Sequence, residues 1–98
     1  MKNEAALQRK IQQYLKARGV YCNKNQGGPT SRGRPDLEGC YCGLYWALEV
    51  KMPGRENTLT DHQAHSLASI KEAGGYAEVA TSTEDARIML KHLDKLRR

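Results

Sequence analysis

The sequence predicts an α/β fold whose elements run αβββαβα along 98 residues. Three observations carry this reading. Three segments place apolar residues at helical spacing, a central segment alternates residue by residue as a strand does, and Gly- and Pro-containing stretches punctuate the chain between them.

The first helix is expected over about Glu4 to Arg18, where Leu7, Ile11, Tyr14 and Leu15 fall at i, i+4, i+7 and i+8, with Asn3 as N-cap and Gly19 as the stop. Glu4 extends that stripe one turn back, an unusual place for a carboxylate without a partner. Val20 to Asn25 reads as a short strand and Gln26 to Pro35 as a loop that delivers the chain to Asp36. A β-hairpin follows, Asp36 to Cys40 and Leu44 to Met52, with Tyr41, Cys42 and Gly43 as its turn. In its second strand Leu44, Trp46, Leu48, Val50 and Met52 fall on one side and Tyr45, Ala47, Glu49 and Lys51 on the other. Pro53 and Gly54 end it, and a loop continues to Leu59. Thr60 to Ala73 is the second helix, with Ala64, Leu67, Ala68 and Ile70 as its apolar face and Gly74-Gly75 at its end. Tyr76 to Thr81 is a further strand. The last helix spans about Glu84 to Leu96, capped by Ser82 or Thr83, with an apolar stripe of Ala86, Met89, Leu90, Leu93 and Leu96.

The length suits one domain, 1–98, with no room for a separate substrate domain. The net charge of +5 is unevenly spread. Residues 1–34 hold eight basic side chains (Lys2, Arg9, Lys10, Lys16, Arg18, Lys24, Arg32, Arg34) against Glu4, a net +7, and the remainder carries −2. A basic third beside a carboxylate-bearing segment suits an enzyme acting on a polyanion, although a solvated helix face has the same composition. The three cysteines are expected to be free thiols, the start lacks a signal-peptide pattern, and the longest uncharged stretch is far too short to span a bilayer. A cytoplasmic protein without a membrane segment is expected.

Asp36 stands thirteen residues before Glu49-Val50-Lys51. A hard cation such as Mg2+ takes one or two carboxylates and keeps waters and phosphate oxygens as its other ligands. In an extended segment Lys51 projects from the same face as Glu49, so an ammonium accompanies the carboxylates. Taken singly, Asp36 after Pro35 is an ordinary turn residue, and Glu49 with Lys51 an ordinary strand face. A hairpin that brings them together makes a site for phosphodiester chemistry.

These residues, with Glu4, the Gly33-Arg34-Pro35-Asp36 turn and Thr60-Asp61-His62-Gln63, resemble the PD-(D/E)XK nuclease superfamily and, within it, the small VRR-NUC domains, over nearly the whole chain. The resemblance implies an αβββαβ core with a mixed sheet flanked by helices, here with an additional C-terminal helix. It implies that Asp36, Glu49 and the backbone carbonyl of Val50 bind Mg2+, or Mn2+ as a substitute. Lys51 would orient or activate the attacking water, and Glu4 and Gln63 would line the site. In-line hydrolysis leaving a 3′-hydroxyl and a 5′-phosphate is also implied. Stand-alone VRR-NUC domains look like Holliday-junction resolvases, and paired cuts need two sites, so branched DNA and a homodimer are the expected partners. Lys10, Lys24, Arg32 and Arg34 are the expected nucleic-acid contacts.

Other readings attach to the same residues. Thr60-x-x-Gln63 is a capping box, which accounts for Gln63 without a site, and Glu4 suits a helix N-terminus. Cys22, Cys40 and Cys42 with His62 or His65 lack the usual zinc-ligand spacing, so partly buried thiols are expected instead and the histidines receive no catalytic role. The alternative function is a non-catalytic nucleic-acid-binding module that uses the basic third and needs no metal.

Overall fold

The computed structural model describes residues 3–28 and 32–97. Its elements are α1 (Glu4–Lys16), β1 (Tyr21–Lys24), β2 (Leu37–Tyr41), β3 (Leu44–Val50), α2 (Asp61–Glu72), β4 (Tyr76–Ala80) and α3 (Thr83–Leu96), in the order the periodicity predicts. Lys2, counted above in the basic third, and positions 29–31 of the expected loop lie outside the described residues.

The strands form one mixed sheet in the order β1-β2-β3-β4. β1, β2 and β3 are antiparallel neighbours, and β4 returns parallel to β3. A parallel return needs a crossover, and α2 supplies it. α1 ends on Gly19, whose φ of 76° lets Gly19 N–H reach Lys16 O and Val20 N–H reach Leu15 O. The helix therefore stops two residues before the expected Arg18. Ser82, the first of the two expected caps, starts α3 by accepting from Asp85 N–H at 3.2 Å.

The hairpin turn is tighter than expected. Tyr41 pairs with Leu44, so Cys42 and Gly43 alone make the turn, both left-handed at φ 51° and 82°. A two-residue turn of this kind matches the twist of the flanking strands. β3 also ends at Val50, ahead of the expected Met52.

α1 and α3 pack on one face of the sheet, where Leu7, Ile11, Leu15, Leu37, Trp46, Leu48, Val50, Met89 and Leu93 form the main core. The other face is covered by α2 above Ala47 and Ala77. β3 lies between these layers, and both its faces are buried from Trp46 to Val50. α2 corrects the expected apolar face: Ala64 and Ala68 are exposed, and the stripe turned inward is Gln63, Ser66, Leu67 and Ile70. Leu67 is the only buried residue of α2, so hydrophobic burial there amounts to roughly 2–3 kcal/mol for one full side chain. The position of this helix leans on its polar ends as well.

Candidate active site

Asp36 leaves the loop immediately before β2, one residue beyond the Leu37–Leu48 pair, which sets it across from Glu49. Two contacts hold this corner of the sheet. Asn25 N–H donates to Asp36 O at 2.9 Å, and the Asn25 side-chain amide donates to Pro35 O. The Asp36 carboxylate accepts from Val50 N–H at 2.8 Å, so the first acid is tied to the backbone between Glu49 and Lys51. Gly33 secures the turn from the other side. At φ 79° its backbone lies so close to α2 that a Cβ there would stand 2.8 Å from His62 Cβ and from His62 O. Only glycine combines that conformation with that approach.

Glu49 is 2% exposed and Lys51 9% exposed, unusual values for charged side chains. The Lys51 ammonium lies 4.0 Å from Glu49 Oε2 and donates to Gln63 Oε1 at 3.3 Å. Gln63 Nε2 donates in turn to Glu49 Oε2 at 3.1 Å. Burial, then the neighbouring Asp36 charge and its side-chain hydrogen bond, push the Glu49 carboxyl up to about 8. Lys51 opposes that shift, and Glu4 adds a smaller upward push from the first turn of α1. Thus Asp36, Glu49, Lys51 and Gln63 are joined by direct contacts, with Glu4 within electrostatic reach.

The donor chemistry suits a hard divalent cation. Two carboxylates face each other in a buried corner, and the cost of ionising both is what a cation offsets. Asp36, Glu49 and the Val50 carbonyl are oxygen donors of the kind Mg2+ or Mn2+ takes. Among the described residues no group of three or more His, Cys, Asp or Glu is placed to hold a metal, which leaves two acids and waters as the arrangement to consider. Zinc is not served: Cys22 is buried on the α1 side, whereas Cys40 and Cys42 are exposed. The latter two also correct the expectation of partly buried thiols.

The expected nucleic-acid contacts lie on the surface. Lys10 is exposed on α1, Lys24 at the end of β1, and Arg32 and Arg34 in the turn before Asp36. Arg34 is not free, since it pairs with Glu38 Oε2 at 2.7 Å. Glu38 also accepts from the Tyr45 hydroxyl at 2.7 Å, making a polar cluster on the α2 side of the sheet that sequence reasoning missed. Its signal is the register of the hairpin, in which Glu38 faces Ala47, two pairs along from the Cys40–Tyr45 pair and so on the same face as Tyr45.

No family model and no curated protein matches the sequence. Solved structures do match. One described as a VRR_NUC domain aligns with a TM-score of 0.69 and 27% identity, covering 91% of this chain and 95% of that one. Near-complete coverage in both directions, on a four-stranded mixed sheet flanked by three helices, gives the resemblance of the motifs a structural counterpart: the chain has the fold of a VRR-NUC domain, of the PD-(D/E)XK type.

Proposed function

We propose that the protein is a metal-dependent, structure-specific DNA endonuclease that hydrolyses phosphodiester bonds in the manner of a Holliday-junction resolvase. The observation that carries the proposal is the convergence of Asp36, Glu49, Lys51 and Gln63 in one buried corner, with Glu49 held far from its ordinary ionisation range. Asp36, Glu49 and the Val50 carbonyl would hold Mg2+, or Mn2+ in its place. When bound, such an ion supplies Lewis-acid neutralisation of the phosphate charge and lowers the pKa of water. Lys51 places a positive charge where negative charge develops on the phosphoryl oxygens and orients the attacking water. Gln63 keeps Lys51 and Glu49 in register, and Glu4 contributes negative charge at the margin. Lys10, Lys24, Arg32 and Arg34 take backbone phosphates of branched DNA. Paired cuts across a junction require two copies of the site, hence a C2 homodimer. Three free thiols suit a reducing compartment, so a cytoplasmic setting is proposed as well.

The test is cleavage of labelled four-way junction, flap, linear duplex and single-stranded DNA with Mg2+ or Mn2+, beside EDTA and Glu49→Ala controls. Paired symmetric cuts in the junction, lost in both controls, are expected. Salt-sensitive binding without cutting of any substrate would replace the nuclease with a binding module.

A further inference from the structure

We propose that Thr60 is a positioning residue of this site: through the capping box at the start of α2, it holds the Gln63 amide in the one orientation that serves Lys51 and Glu49 together. The proposal rests on the nuclease reading above.

A glutamine amide has one carbonyl oxygen that accepts and one NH2 group that donates. Gln63 Oε1 accepts from Thr60 N–H at 3.0 Å and from the Lys51 ammonium at 3.3 Å. Nε2 donates to Glu49 Oε2 at 3.1 Å. Flipping the amide would set NH2 against two donors and oxygen against a carboxylate, so all three contacts select the same orientation. The Thr60 hydroxyl closes the box by accepting from Gln63 N–H at 3.1 Å.

Two features make this local contact consequential. First, the apolar side chains that α2 packs on the sheet, buried Leu67 and half-buried Ile70, both lie beyond its first turn, so little apolar packing fixes the azimuth of that turn. Second, among the described residues Gln63 supplies the hydrogen bond to the Lys51 ammonium, while Glu49 remains 4.0 Å away. A long lysine and a long glutamine each lose rotamer freedom when they meet, and a bond from a residue three positions away restrains the glutamine beforehand. The capping box and the site are therefore one device, with Thr60 acting on Lys51 and Glu49 through Gln63.

The test combines cleavage kinetics with NMR of the 15N-labelled protein free of metal and DNA, using Thr60→Ala, Thr60→Ser, Gln63→Ala and the Thr60→Ala/Gln63→Ala pair. The Gln63 side-chain NH2 resonances, identified by their loss in Gln63→Ala, are expected to move toward free-glutamine positions in Thr60→Ala and to keep wild-type positions in Thr60→Ser. In cleavage, Thr60→Ala is expected to lower kcat roughly tenfold with KM changed less than about twofold, and Thr60→Ser to restore it. In the Gln63→Ala background the same substitution should cost less than about twofold more, because its route is already cut. An equal loss in both backgrounds, or unmoved Gln63 resonances in Thr60→Ala, would overturn the proposal. Should the wild type cut no DNA, the nuclease reading falls by that result, and the resonances still decide whether Thr60 holds Gln63.

Discussion

The Asp36 carboxylate accepts the N–H of Val50 at 2.8 Å, which locks the first acid of the site to the backbone between the second acid and the lysine. The bond joins two strands where the sheet ladder ends, and it draws together the acids that repel each other. Asp36→Asn separates these roles, since the amide oxygen still accepts from Val50 N–H while the negative charge is gone. Cleavage is expected to fall by about a hundredfold to a thousandfold, the scale for losing a principal electrostatic element of an active site. Thermal stability in EDTA at pH 8 should equal or exceed that of the wild type, because Glu49 loses its charged neighbour. Paired cleavage and melting measurements check this, and a large drop in melting temperature would show that the charge of Asp36 stabilises the fold.

The raised Glu49 carboxyl sets a direction for pH dependence. Its folded value of about 8 lies above the ordinary 4.5, so between these limits the folded state binds more protons than the unfolded state. Stability without metal therefore decreases as pH rises from about 4.5 toward 8 through this group, and levels off above. A divalent cation competes with that proton, so its affinity and its stabilising effect should grow across the same window. Melting curves at pH 6 and pH 8.5, each with Mg2+ and with EDTA, should show the larger Mg2+ gain at the higher pH. A gain that shrinks with pH would remove Glu49 from the cation site.

Gly33 and Gly54 offer a matched comparison. Both have positive φ, 79° and 88°, but a Cβ at Gly54 meets nothing within 4 Å, whereas one at Gly33 runs into the His62 backbone. Gly54→Ala should cost only the backbone strain, about 1 kcal/mol. Gly33→Ala should cost more and also reduce cleavage, since it pushes the Asp36 turn away from the helix that carries Gln63. Urea unfolding and cleavage rates for the pair decide the matter; equal losses of stability with full cleavage would show that the Gly33 contact does not position the site.

Much of this arrangement was legible because its elements are local. Helical spacing marked α1 and α3, alternation marked β3, and an extended Glu49-Val50-Lys51 placed Glu49 and Lys51 on one face. The inward face of the second helix is not legible from composition, because its stripe begins with the polar pair Gln63 and Ser66, while exposed Ala64 and Ala68 look apolar. Gln63 reads in the sequence as a cap and as a site residue, two roles that do not exclude each other, and it is bonded both to Thr60 and to Glu49 and Lys51. The seat of Gly33 on His62 and the Arg34–Glu38 pair depend on how loop, sheet and helix meet, which no periodicity records.

That pair bears on the proposed DNA binding. Lys24 and Arg32 are exposed, whereas Arg34 is engaged with Glu38, whose second oxygen accepts from the Tyr45 hydroxyl. Burial and the Glu38 hydrogen bond push that hydroxyl up to about 12, so Tyr45 stays a donor at working pH and steadies Glu38 against Arg34. Lys24→Ala or Arg32→Ala should therefore weaken binding to any DNA sequence and lower the dependence of affinity on salt by about one ion each. Glu38→Gln should act oppositely: it keeps acceptor and donor atoms in place, removes a negative charge from the surface and releases Arg34 toward phosphate. Affinity and its salt slope should both rise. Titrations of labelled duplex at several salt concentrations, with EDTA present to prevent cutting, measure both quantities. Tighter binding by Glu38→Gln that disappears when Arg34→Ala is added would assign the gain to Arg34, and a gain that survives would assign it to the lost carboxylate itself.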